Sequence, residues 1–191
     1  MTDQRDWIKS KIRTYKDNYM EDPPSIDEAN RTLQFIEENA DCFSRKNQQG
    51  HITGSAWIFN QDYSMVLLHH HRKIDQWIQL GGHSDDDWNT LDVAVKEAEE
   101  ESGLKGFRVL SDEIFDIDVH EFPARKNEPA HLHYDIRFLL QISSDLPLNK
   151  QDRESKALEW IPLRELFSSD DYLFVRKISI KSLDYIAALQ A

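Results

Sequence analysis

The sequence predicts an α/β fold of the α+β kind, a mixed sheet packed between helices and preceded by a helical pair. Three features predict it. Apolar residues in roughly the first 42 positions recur at helical spacing, the pattern changes to period two from His51, and an acidic helix between Gly82 and Gly103 interrupts the strands. The expected division is residues 1–47 as a helical extension and 48–191 as the main domain.

In the extension, Ile8, Ile12, Tyr15 and Tyr19 form one stripe of a first helix, which Glu21-Asp22-Pro23-Pro24 breaks. Ser25-Ile26-Asp27-Glu28 reads as a capping box, with Ser25 as N-cap and Glu28 reaching back. Ile26, Ala29, Leu33, Ile36 and Ala40 line the apolar face of this second helix. The pair could cap a cleft, pack on the sheet or build a homodimer, and the sequence does not choose. The polar stretch 44–50 reads as the connector.

Strands are expected at Ile52–Asn60 and Ser64–His71, joined by a turn at Asn60-Gln61-Asp62. Trp77–Leu80 delivers the chain into a turn at Gly81-Gly82. Past the acidic helix, Phe107–Leu110 and Ile114–Phe122 look extended. The clearest strand is His131–Ile142, where Leu132, Tyr134, Ile136, Phe138 and Leu140 alternate with His131, His133, Asp135 and Arg137. Leu163–Phe167 reads as a short helix, and a last helix carrying Ile178, Leu183 and Ile186 closes the core.

Composition narrows the function. With 39% apolar and 30% charged residues, the chain reads as a soluble globular protein. No apolar run approaches the ~20 residues a bilayer requires, and the N-terminus lacks the apolar core of a signal peptide. The single cysteine, Cys42, rules out an internal disulfide. A cytoplasmic location with no membrane partner follows as an expectation. The net charge of −12 argues against a nucleic-acid partner, which would need Lys and Arg to displace counterions. It leaves room for a small phosphorylated ligand that arrives with a cation.

Chemistry concentrates in the acidic helix. Leu91, Ala94, Val95 and Ala98 share one face, while Glu97, Glu100 and Glu101 share another at i, i+3, i+4. Three like charges on one face repel unless a cation sits among them, and hard divalent ions take oxygen ligands together with phosphate. A solvated acidic face is the plainer alternative. The wider pattern decides between them. Gly82, thirteen residues, then Lys96-Glu97-Ala98-x-Glu100-Glu101-x-Gly103-Leu104 resembles the Nudix box, Gly-x5-Glu-x7-Arg-Glu-U-x-Glu-Glu-x-Gly-U, where U is bulky aliphatic. Trp88 stands where the box has its first glutamate, Lys96 replaces the arginine, and Ala98 is small for its position. Lys96 keeps the charge but loses the planar fork of arginine.

Trp77-Ile78-Gln79-Leu80-Gly81-Gly82-His83 and Pro129-Ala130-His131-Leu132-His133-Tyr134-Asp135-Ile136-Arg137-Phe138 look familiar from one bacterial Nudix subgroup. Leu158-Glu159-Trp160-Ile161-Pro162-Leu163 resembles a common Nudix C-terminal feature. The resemblance implies an α/β/α sandwich over roughly residues 50–190 and hydrolysis of a nucleoside diphosphate linked to another group, with Mg²⁺ or Mn²⁺. It implies Glu97, Glu100 and Glu101 as metal ligands, joined by a backbone carbonyl from the Gly82 turn, and Lys96 as the residue orienting the carboxylates. The general base is then Glu101 or Glu97, with Glu154 as a downstream candidate.

Substrate contacts are expected from His131, His133 and Arg137, if their strand face is a cleft wall rather than a water-facing surface. His70 and Arg72, in the cluster His69-His70-His71-Arg72-Lys73, would suit a far phosphate, or lie in an exposed loop. Trp88 could stack on a base at the mouth of the site or pack the helix start. A zinc site from His83, His131 and His133 is conceivable, although nothing in their spacing shows convergence. Two other functions compete: a non-catalytic Nudix-fold module that senses a nucleotide, and an isoprenoid diphosphate isomerase. The isomerase would need a cysteine within the main domain, and Cys42 lies outside it.

Overall fold

The protein is described by a computed structural model covering residues 3–124 and 129–190. Its elements run α1 (Arg5–Asn18), α2 (Pro23–Glu38), β1 (Gly50–Phe59), β2 (Met65–His71), β3 (Gln76–Ile78), β4 (Leu80–His83), α3 (Thr90–Ser102), β5 (Arg108–Val109), β6 (Asp116–Phe122), β7 (His131–Gln141), β8 (Ser155–Pro162) and α4 (Arg176–Leu189). Two 3-10 helices, Leu163–Phe167 and Asp170–Val175, precede α4. The sheet has strand order β3-β2-β1-β7-β5, with β4 on β1, β6 on β7 and β8 on β2. This is the α+β class that the sequence predicts. No helix among the described residues is long and apolar enough to cross a membrane.

The chain divides into two compact units. The first takes residues 1–55, 81–95 and 111–138, the second 56–80, 96–110 and 139–191.

In the first unit, α1 buries Ile8, Ile12 and Tyr15, three of the four stripe residues. Tyr19 stays half-buried and donates its hydroxyl to the Phe115 carbonyl at 3.0 Å. The second helix differs from its predicted start. Pro23 takes the first turn, where its missing N–H costs nothing, so α2 begins two residues before Ser25. Ser25 then donates to Asp22 at 2.5 Å instead of capping. The buried face is Ser25, Ala29, Thr32, Phe35 and Ile36, while Ile26 and Leu33 are half-buried and Ala40 lies exposed beyond the helix end. Phe35 draws the face round by stacking on Tyr134, centroids 4.1 Å apart. The helical pair packs on the sheet, with α2 against β6.

The glycine pair is not a turn. Gly81 and Gly82 lie inside β4, and neither has positive φ. Positive φ falls instead on Asp85 (51°) and Asp86 (70°). Close approach is what requires glycine at 81, because a Cβ there would sit 2.6 Å from Ser55 Cα and 2.1 Å from its hydroxyl oxygen. Every residue of β1 is buried, so its sequence shows apolar and small polar residues without a water-facing side.

In the second unit, β2 pairs antiparallel with β3 and β8, from Met65↔Pro162 to His71↔Ser155 with a register shift after His70. The strand β8 has no counterpart in the sequence prediction. Its Ala157, Leu158, Trp160 and Ile161 do not keep a clean alternation, and burial follows Ser155, Leu158 and Ile161. The expected strand at 107–110 shrinks to Arg108–Val109, and both residues are exposed. In α4, Ile178 is fully buried but Leu183 is exposed; Ser179 and Ser182 take the buried positions by donating their hydroxyls to carbonyls four residues back.

Gly81→Ala should lower stability by about 1–3 kcal/mol through overpacking against Ser55. Urea unfolding at neutral pH measures it, and an unchanged midpoint would contradict the close approach.

Candidate active site

Helix α3 ends at a glycine stop, as the sequence predicts. Gly103 has φ 72° and its N–H bonds the Glu99 carbonyl at 3.0 Å. The last turn carries acids and no base, at the helix end whose dipole already favours a cation. Glu97, Glu100 and Glu101 differ sharply in exposure, their side chains being 17%, 45% and 3% accessible. Glu99 faces elsewhere and pairs with Lys105 at 2.5 Å. Lys96 lies 3.9 Å from both Glu97 and Glu100, yet is 61% exposed, so it neutralises little of the group.

Behind the trio stands a residue that the sequence reading placed in a positive cluster. His69 is 1% exposed, with Nδ1 2.8 Å from the Ser155 hydroxyl and 3.6 Å from Glu101 Oε1. Burial, then the neighbouring His71 and His70, pushes its pKa down to about 3, so the ring is neutral. His69 therefore meets Glu101 as an imidazole dipole, not as a counter-charge. Ser155 had no signal in the sequence, because β8 was not legible as a strand.

Glu154 lies in the turn 151–154, which is tied to the end of α3. Gln151 donates to the Glu100 carbonyl at 2.7 Å, and the Asn149 N–H bonds the Ser102 carbonyl at 2.8 Å. Glu154 itself faces Arg153 at 3.1 Å. Arg72 closes the same turn by donating to the carbonyls of Asp152 at 2.9 Å and Ser155 at 3.3 Å. His70 sits 3.5 Å from Asp75, with its ring 5.2 Å from that of Trp77.

The other expected residues belong to the first unit. Trp88 packs edge-to-face on Trp7 of α1, with ring centroids 5.7 Å apart, so the position that the box gives to a glutamate is here a helix contact. Gly82 is a β4 residue. The face carrying His131, His133, Asp135 and Arg137 is no water-facing surface, since all four are at most 9% exposed. Arg137 meets Asp135 at 2.8 Å, Asp116 at 3.0 Å and Asp118 at 3.1 Å. Burial alone would lower its pKa, but the carboxylates of Asp118, Asp135 and Asp116 hold it above the ordinary value. That guanidinium is engaged by protein carboxylates, a placement at odds with the expected phosphate contact.

His131 and His133 converge with His51, which sequence reasoning missed. One ring nitrogen from each lies within 4.8 Å of the others, and His83 flanks them with its ring 4.9 Å from His51 and 5.3 Å from His133. Burial, then His120 and His51, lowers His133 to about 2; burial, then His51 and Arg45, lowers His83 to about 4. Cys42 is fully buried, which pushes its thiol up to about 12 and leaves it unreactive.

Comparison with known proteins places this geometry. The model of the NUDIX domain family matches residues 51–181. A probable DHNTP pyrophosphohydrolase of Lactococcus lactis subsp. cremoris is 27% identical over 115 residues, 59% of this chain and 67% of the relative. Among solved structures, an Ap4A hydrolase of C. elegans in a binary complex superposes with TM-score 0.56 at 15% identity, covering 72% of this chain and 98% of that one. A NUDIX-family hydrolase of Clostridium perfringens does so with TM-score 0.53 at 21% identity, covering 73% and 99%. Fold and box together define a Nudix hydrolase, a class whose homologues act on pyrophosphate bonds and use a divalent metal. The chain belongs to the NUDIX domain family.

Two outcomes follow from the buried groups. Arg137→Met should cost about 3–5 kcal/mol, because it strands three carboxylates without their cation; chemical denaturation reads this directly. The folded pKa values of His69, His83 and His133 lie below the model-peptide value of 6.5. The unfolded chain therefore binds protons first, and stability present above pH ~6.5 is lost as pH falls toward the folded values. Each group contributes up to about 1.4 kcal/mol per pH unit. Urea midpoints of metal-free protein should fall clearly between pH 7.5 and about 5.5, and a flat profile would contradict the buried neutral histidines.

Proposed function

We propose that the chain is a hydrolase that cleaves the diphosphate of a nucleoside diphosphate derivative, with Glu97, Glu100 and Glu101 holding Mg²⁺ or Mn²⁺. The observation that carries this reading is the acidic trio at the C-terminal end of α3, graded from buried Glu101 to open Glu100. The donor set fits a hard cation: carboxylate oxygens at i, i+3, i+4, at the negative end of a helix, with no base in the last turn. When bound, such an ion offsets charge on the diphosphate and acidifies a water.

This chain's own residues do the rest. Glu101 or Glu97 takes the proton from the attacking water, and Glu154 is the third candidate for that role. His69, neutral and buried, limits the rotamers of Glu101 and keeps water from behind it. Lys96 orients Glu97 and Glu100 from 3.9 Å. His70 and Arg72, at the end of β2, are the candidates for a far phosphate. The L. lactis relative makes DHNTP a first trial substrate. A second reading, a binding module that senses a nucleotide without cleaving it, rests on Trp88 packed against Trp7 at the position of the box glutamate.

The test is phosphate release from DHNTP, nucleotide sugars, dinucleotide polyphosphates, coenzyme A, ADP-ribose and nucleoside triphosphates. Each is run with Mg²⁺, Mn²⁺ or chelator. Glu101→Gln should lower metal-dependent turnover by at least about 10²-fold with unchanged circular dichroism. Full activity in that variant would overturn the site, and melting shifts without product would favour the binding module.

A further inference from the structure

The histidine cluster of the first unit shares no residue with the proposed acidic site, and the proposed hydrolysis makes no use of it. We infer that His51, His131 and His133 form a site for a zinc-class transition-metal ion, with His83 beside it for a fourth position.

Three observations carry the inference. First, the ligand atoms converge: one nitrogen from each of the three rings falls within 4.8 Å of the others. His131 Nε2 and His133 Nε2 are 3.1 Å apart. Two nitrogens on a tetrahedral ion with bonds of ~2.0–2.1 Å are about 3.3 Å apart, so small ring rotations suffice.

Second, the tautomer of His131 is set for coordination. Its Nδ1 lies 2.9 Å from the Pro129 carbonyl, which can only accept, so Nδ1 carries the proton. Nε2 is then the ring nitrogen left to coordinate, and it faces His133. A ring N–H donated to a carbonyl is the outer contact that metal-bound histidines commonly make.

Third, the rings are gathered at a cost. His51, His131 and His133 are 1%, 6% and 9% exposed, and the centroids of His51 and His83 are 4.9 Å apart. Phe122 stacks on His133 at 5.1 Å, giving the cluster an apolar wall. Imidazole nitrogens select zinc, cobalt, nickel or copper over magnesium, so this site and the oxygen-only trio of α3 prefer different ions.

The test uses the full chain stripped by chelator, with Zn²⁺ and Co²⁺ as probes. One equivalent of Co²⁺ should give the intense visible bands of a tetrahedral ion, and Zn²⁺ should displace them. His131→Gln should weaken Zn²⁺ binding by at least about 10–100-fold, the scale that even outer partners of a ligand command. Glu97→Gln/Glu101→Gln should leave both signals in place. Zinc-edge absorption fine structure of the wild-type protein should show three or more imidazole ligands, which tests the site even if the histidine variant does not fold. Zinc bound equally well by His131→Gln, an oxygen-dominated shell, or loss of binding in the glutamate variant alone would each overturn the inference. Phosphate release with Mg²⁺ by the zinc-free protein separates this outcome from that of the proposed hydrolase.

Discussion

A buried cation between three carboxylates is the constraint on which the first unit depends. Arg137 joins β7 to Asp116 and Asp118 of β6, and Asp135 of β7 also accepts from Thr53 and Ser55 of β1 at 2.8 and 2.7 Å. Each strand thus gives a polar side chain to one network, and a slip of one residue would turn every member to the opposite face. Ser55 has a second duty, since its backbone and hydroxyl occupy the space that any side chain at 81 would need. Register, the β1–β4 approach and the glycine at 81 are consequences of one arrangement. Such a network is worth little over a well-packed apolar core, but it is costly to leave half made.

In the second unit the governing feature is asymmetry of burial. Glu101 lies under β2 and β8, touched by a neutral His69, while Glu100 opens to water. Carboxylates of one chemical type thereby acquire different surroundings within two turns of a helix. The turn 151–154 is stitched to the same helix end through Gln151 and to β2 through Arg72, so residues far apart in sequence hold one another in place.

Much of this was legible in the sequence, for reasons that differ between elements. The acidic trio and the glycine stop could be read because helix geometry converts spacing into faces without help from the rest of the fold. The strand β7 could be read from its alternation, but not its burial, because His, Asp and Arg count as surface residues until their partners are known. Ser25 reads as a cap on local grounds, but Pro23 starts the helix earlier. The glycine pair reads as a turn because glycine permits positive φ, whereas at 81 its value lies in lacking a side chain. His51, His69 and Ser155 could not be found, since what gives them meaning is convergence across strands separated by up to 86 residues.

Trp88 carries a last implication, about folding and not chemistry. The family match runs over residues 51–181, yet the first compact unit takes in both leading helices. Where the family pattern has a carboxylate, this protein has an indole resting on Trp7, among helices whose Ile8, Ile12 and Ile36 are fully enclosed. The leading helices are part of that compact unit, and a shortened chain starting at 51 would strip Trp88 of its aromatic neighbour.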